Sequence, residues 1–317
     1  MKKAGLLLLL LFTGFRTPGQ DSTVRLDDDL LRSAEQWAKA NLDENALRVL
    51  QSADRDKVRQ VLEQVRKQFQ GKYVVDLAQL KAAVRAVLPL LEAHKETLPY
   101  AVWLKTRRDY FPVADQLRVL VPPPKTAPGQ PAKPAPNPPP QKEREVWMQQ
   151  LAERPWPKHS KQYVARLKPI FTAEKVPPEL VWLAEVESSF DPRARSPVGA
   201  AGLFQLMPDT ARHYGLRTWP LDQRLTPETS GRAAARYLHD LRGRFRDWRL
   251  ALAAYNAGEG TVQNLLARRK AATFDAIADR LPAETQMFVP KVEATLYRRE
   301  GLKLSQLQPP SLAKHTP

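Results

Sequence analysis

Apolar residues recur at helical spacing through most of this chain. Val58, Val61, Leu62, Val65 and Phe69 fall at i, i+3, i+4, i+7 and i+11, the stripe of a helix with one buried face. Leu77, Leu80, Val84, Val87, Leu88 and Leu91 repeat it, with a kink expected at Pro89. An aromatic-rich helix carrying Trp103 is expected from Tyr100 to Tyr110. Farther on, Trp147, Tyr163, Val164, Leu167, Ile170 and Phe171 read as one helix. Ala234, Tyr237, Leu238, Leu241 and Phe245 read as a second, opened by Thr226-Pro227. Trp248, Ala251, Leu252 and Tyr255 read as a third, and a last helix follows Leu281-Pro282, bent at Pro290. Almost no alternating strand pattern interrupts this, so the fold class is all-α.

The pattern breaks at VPPPKTAPGQPAKPAPNPPPQK, residues 121–142. Nearly half of it is proline, so it populates extended polyproline II and packs no core. Five segments follow: a signal peptide over 1–20, a helical N-terminal domain of unassigned role over 21–120, the proline-rich linker over 121–142, a second helical domain over 143–300, and a tail expected to be poorly ordered over 301–317. At ~3.1 Å per residue the linker spans up to roughly 60 Å, so few contacts are expected across it. Two lysines, a leucine run and turn residues at the start have the layout of an export signal, the run being too short for a stable membrane span.

Charge and cysteine content narrow the partners. Fifty Lys and Arg against 34 Asp and Glu give a formal net charge of +16, and there is no cysteine. Disulfides, Cys-ligated metals and a lipid-modified N-terminal cysteine are therefore excluded. An exported chain without a basic–aromatic nucleic-acid module fits an anionic cell envelope better than nucleic acid. Asp27-Asp28-Asp29 reads as an acidic helix start rather than a metal site. No two of the five histidines share metal-ligand spacing, so neither metal nor cofactor is expected.

The chemistry concentrates between Val176 and Leu216. Pro177-Pro178 opens a helix whose Leu180, Leu183 and Ala184 mark the apolar face, and the next position on that face is Glu187. Two roles suit a carboxyl there. One is a structural ion pair, with Arg193 or Arg195 nearby in sequence. The other is a general acid, because burial and the negative end of the helix dipole both favour the protonated form. Glu185 points away from the stripe and is expected to be solvated. Gly199, Ala200, Ala201 and Gly202 would let backbone approach a bulky ligand. Asp191, Asp209 and Asp222 are possible second carboxylates, although capping explains the first two more cheaply.

Glu187-Ser188-Ser189-Phe190, Gly202-Leu203-Phe204-Gln205-Leu206-Met207-Pro208 and Ala254-Tyr255-Asn256-Ala257-Gly258 resemble, in order and spacing, the three motifs of the soluble-lytic-transglycosylase (goose-lysozyme-like) family. Glu284-Thr285-Gln286-Met287-Phe288-Val289-Pro290-Lys291 resembles the end of that domain in the membrane-bound transglycosylase D branch. The similarity covers roughly residues 160–300. It implies a lysozyme-like helical domain in the periplasm or cell envelope, with Glu187 as the single acid/base that cleaves peptidoglycan glycan strands. It further implies that Ser188 and Gln205 hold site and substrate, and that Tyr255 and Asn256 contact sugar or position Glu187. An ordinary core role suits Tyr255 equally. Phe204 stands where the family often has Met, and Phe288 where many relatives have Tyr. Two alternatives stay open: a goose-type-lysozyme-like hydrolase using the same Glu, and a glycan-binding protein without turnover. Other envelope proteins are candidate partners for the N-terminal helices.

Overall fold

In a computed structural model of the protein, residues 64–93, 98–122, 124 and 136–308 are described. The signal-peptide segment, Asp27-Asp28-Asp29 and the Val58–Leu62 part of the first stripe lie outside them. Eleven α-helices are delimited among the described residues: α1 (Lys81–Glu92), α2 (Leu98–Arg107), α3 (Tyr110–Leu120), α4 (Pro140–Leu151), α5 (Ser160–Ala173), α6 (Leu183–Ser188), α7 (Pro208–His213), α8 (Pro227–Phe245), α9 (Trp248–Ala257), α10 (Glu259–Arg269) and α11 (Ala283–Glu300). Short 3-10 turns precede α1 (Val74–Leu80) and α6 (Pro178–Trp182). Among the described residues the extended pairing is limited to isolated bridges, Arg195 with Ala201 and Ala201 with Leu206. The all-α expectation holds.

Two hydrophobic cores share one helix. The first gathers α5, α6, α8 and α9, with Leu167, Phe171, Leu183, Leu238 and Leu252 among its members. The second gathers Phe69, Trp103, Tyr110 and Phe111 from the N-terminal part with Val146, Trp147 and Leu151 of α4. Helix α11 lies between them. Phe288, Val292 and Leu296, at i, i+4 and i+8, enter the first core, while Ala283, Met287 and Ala294 enter the second. A helix apolar on two faces is one that must be covered on both.

The expected scarcity of contacts across the proline-rich segment is therefore corrected. Asn137, inside that segment, is a staple: its Oδ1 accepts from Val74 N at 3.0 Å, and its Nδ2 donates to the carbonyls of Lys72 (2.6 Å) and Asp279 (3.2 Å). Pro140 to Lys142 are helical rather than linker, because proline suits the first turn of α4. Trp147 belongs to α4 and the N-terminal core, not to the helix of Tyr163 and Phe171. The tail is ordered beyond its expected start, since Leu304 and Leu307 are buried in the first core.

The expected Tyr100–Tyr110 helix is in fact two, broken at Arg108-Asp109. At the break, the buried Lys291 ammonium donates to the Thr106 carbonyl. Lys291 also lies 4.8 Å from the Tyr110 ring centroid and 5.4 Å from that of Trp147. Burial, ahead of the nearby Arg154 and Arg107, holds its ammonium well below the ordinary lysine range. The α2–α3 corner is thus seated directly on α11, and it brings Arg107 to the first core.

Candidate active site

Glu187 lies in the last turn of α6. Ser189 then stops the helix in the left-handed region (φ 51°), and Phe190 follows at φ 60°. Every residue of α6 is buried, and Glu187 is only 4% exposed. Its Oε2 lies 3.4 Å from Nη2 of Arg107, and its main-chain carbonyl accepts from Arg107 Nη1 at 3.3 Å. Arg107 Nε donates in turn to Glu284 Oε1 at 3.1 Å. Desolvation outweighs the guanidinium and raises the Glu187 carboxyl from 4.5 to about 7, with the Glu284 charge adding to the rise. Such a group is half protonated near neutral pH, which suits a general acid that must afterwards act as base.

Neither expected ion-pair partner holds Glu187. Arg193 sits by Asp191, whose Oδ1 accepts the Arg193 main-chain N–H at 2.8 Å, and Arg195 pairs with Asp222 at 3.3 Å. Glu185 is not solvated, which corrects the expectation. It is 1% exposed and accepts from Arg299 Nε and Nη2, each at 2.8 Å. Helical spacing puts Glu185 opposite the apolar stripe, but Arg299 of α11 and Arg154 stand on that side in place of solvent.

The segment after α6 folds back as a tight loop. Gly202 adopts φ +82°, and a Cβ there would meet the Arg224 carbonyl oxygen at 1.9 Å. The close approach foreseen at Gly202 is to protein backbone, not to a ligand. Arg224 bridges the loop by donating to the Gly199 (2.7 Å) and Leu206 (2.8 Å) carbonyls, while Asp222 holds its guanidinium.

Three of the four accompanying site residues, Ser188, Gln205 and Tyr255, bond to this loop, and Asn256 does not. Ser188 Oγ donates to the Leu203 carbonyl at 2.8 Å and to Ala184 O at 3.1 Å. Gln205 Nε2 donates to the Ala194 (3.1 Å) and Gly202 (2.9 Å) carbonyls, and its Oε1 is buried without a partner. Tyr255 OH donates to the Phe204 carbonyl at 2.7 Å. Burial, aided by the Glu187 charge, holds that phenol well above its ordinary range, so it stays a donor. Asn256 Oδ1 accepts from Thr285 Oγ1 at 2.6 Å, tying α9 to α11. Ser188, Gln205 and Tyr255 therefore pin the backbone of Ala194, Gly202, Leu203 and Phe204. Phe288 is buried apolar packing and offers no hydroxyl.

The foreseen second carboxylates are engaged elsewhere: Asp209 with Arg212, Asp222 with Arg224 and Arg195, Asp191 with its own turn. The carboxylate linked to Glu187 is Glu284, through Arg107. Sequence reasoning missed Arg107, although an arginine beside Trp103 in an apolar helix was a signal that something pairs with it. Among the described residues no group of His, Asp and Glu could hold a metal ion. No described helix is long and apolar enough to cross a membrane.

Comparison with known proteins covers this same stretch. Residues 171–278 match the family model described as Transglycosylase SLT domain. The chain is similar to membrane-bound lytic murein transglycosylase D of Escherichia coli strain K12, 43% identical over 125 residues, or 38% of this chain and 27% of that protein. It is also similar to the soluble lytic murein transglycosylase of Salmonella typhimurium, 39% identical over 121 residues, 35% of this chain and 19% of that one. Among solved structures, the 70 kDa soluble lytic transglycosylase of Escherichia coli aligns with a TM-score of 0.41 at 23% identity, over 88% of this chain and 46% of that chain. The chain thus spans about a quarter or less of the length of the curated relatives it matches. The ordered motifs and the family match agree, and the chain carries a transglycosylase SLT domain at residues 171–278.

Proposed function

We propose that the protein is an exported peptidoglycan lytic transglycosylase of the periplasm or cell envelope, in which Glu187 is the sole acid/base. The observation that carries this reading is a buried carboxyl, raised to about 7, at the end of α6 beside a loop pinned by Ser188, Gln205 and Tyr255. The SLT domain match and the names of the relatives support the substrate class. Glu187 gives its proton to the β-1,4 oxygen between N-acetylmuramic acid and N-acetylglucosamine, and the bond from that oxygen to the muramyl anomeric carbon breaks. The 6-hydroxyl of the same muramyl residue attacks the anomeric carbon and yields its proton to the Glu187 carboxylate. A 1,6-anhydro end forms, the acid is regenerated and no water is consumed. The paired-carboxylate scheme of ordinary glycosidases is not needed.

Ser188, Gln205 and Tyr255 act mainly by fixing the loop, and Asn256 by tying α9 to α11. The segmentation into a signal peptide, N-terminal helices and a catalytic part belongs to the same proposal, with α2 and α3 packed against the catalytic part. The net charge of +16 suits an anionic wall polymer. The test is mass analysis of muropeptides released from purified sacculi. Products one water lighter than the hydrolytic ones are expected. Hydrolytic masses would assign a lysozyme-like reaction, and no release would leave glycan binding alone.

A further inference from the structure

We infer that Arg107, brought in by α2 from outside the SLT domain, is a positioning residue that aims the Glu187 carboxyl and joins it to Glu284 as one charged unit. This rests on the reading of Glu187 as the acid. The guanidinium is almost wholly buried, with side-chain exposure of 6%. Each of its nitrogens has a protein partner. Nη1 reaches Thr106 Oγ1 at 2.8 Å and the Glu187 carbonyl at 3.3 Å. Nη2 reaches Glu187 Oε2 at 3.4 Å, and Nε reaches Glu284 Oε1 at 3.1 Å. The Trp103 ring lies 4.8 Å from its carbon centre. A planar fork held at five points fixes where it points, and with it the carboxyl oxygen it touches.

The charge arithmetic gives this contact a consequence that packing alone would not. Two carboxyl groups share one guanidinium in a dry site, so they favour a state in which one of them keeps a proton. The groups that act on Glu187 come from four helices: Arg107 from α2, Tyr110 from α3, Tyr255 from α9, and Glu284 and Lys291 from α11. Arg107 is the cation in contact with it. Loss of that cation makes Glu187 hold its proton to higher pH, whereas loss of the Glu284 charge makes it release the proton at lower pH. A residue that merely fills space would move neither.

The experiment uses the full chain as wild type, R107K, R107Q, E284Q and E187Q, with muropeptide release from sacculi followed across pH at limiting substrate. The limb on which activity falls with rising pH is expected to move up by about one unit or more in R107Q. It should move down in E284Q and stay near wild type in R107K, at a lower maximum rate. Unmoved limbs in R107Q and E284Q, with only the rates reduced, overturn the inference and leave the acid assignment standing. Should R107Q not fold, a downward limb in E284Q with a wild-type limb in R107K supports the inference, and any other pattern overturns it. Equal activity in wild type and E187Q would instead sink the functional reading. The inference is then judged by infrared titration of the Glu187 carboxyl against E187Q, where a midpoint insensitive to Arg107 and Glu284 overturns it.

Discussion

Glu187→Gln should separate catalysis from stability, and the burial of this one group gives the size of both effects. The carboxyl stands at 4.5 when solvated and at about 7 in the fold. Below about pH 4.5 both folded and unfolded chains carry the proton, and the group contributes its full stability. Between 4.5 and 7 the unfolded chain releases the proton while the folded one keeps it, so stability declines as pH rises, and the loss is complete above about 7. At ~1.36 kcal/mol per pH unit, that loss is about 3 kcal/mol. Glutamine cannot ionise, so the stability of E187Q relative to wild type should grow by about 3 kcal/mol between pH 4 and pH 8, or roughly 6–12 °C in midpoint. Arg107 keeps its bond to Glu284 in the variant, so no buried cation is orphaned. Muropeptide release should fall by at least ~10²–10⁴-fold. Thermal melts at a series of pH values, run beside the activity assay, read both effects. A stability difference that does not change with pH would refute the placement of the proton, and near-normal release by E187Q would refute its use.

Glu185→Gln, two residues away, should do the reverse. It breaks a buried pair with Arg299 and should cost about 3 kcal/mol, read as a lowered melting midpoint, while the folded fraction still turns over. Gly202→Ala places a Cβ 1.9 Å from the Arg224 carbonyl at a positive φ and should cost about 3 kcal/mol or more, with chemical denaturation as the check. A fragment limited to residues 143–300 removes Phe69, Trp103, Tyr110 and Phe111 from the second core, so it should melt well below the full chain. Equal midpoints would show that the N-terminal helices are dispensable to the fold. Retention on sacculi should weaken as salt is raised, if net charge steers association; salt-independent retention in a co-sedimentation assay would assign binding to the cleft.

Local features carried much of this structure. The stripe that ends at Glu187 was legible because Leu180, Leu183 and Ala184 set the period, and the same logic turned Tyr255 inward. What period reports is one buried face, and it is silent on whether the other meets water. Glu185 and the doubly covered α11 fell outside its reach for that reason. The partners of the buried charges are remote in the chain: Arg107 lies 80 positions from Glu187, and Arg299 lies 114 from Glu185. No spacing rule spans such intervals. Gly202 was legible as a close approach, yet whether ligand or backbone would fill the space depended on the return of the chain at Arg224. The proline-rich stretch was read from composition alone, and one asparagine in it, Asn137, ties both halves together through three hydrogen bonds.

Cleavage of the glycan by one carboxyl, with no water as nucleophile, leaves a signature in heavy-oxygen water. When purified sacculi are digested there with the full chain, the muramyl ends should carry no label and be one water lighter than hydrolytic ends. They should be absent when Glu187 is glutamine. Labelled reducing ends at full mass, formed by wild type and lost in E187Q, would contradict this mechanism by making water the nucleophile.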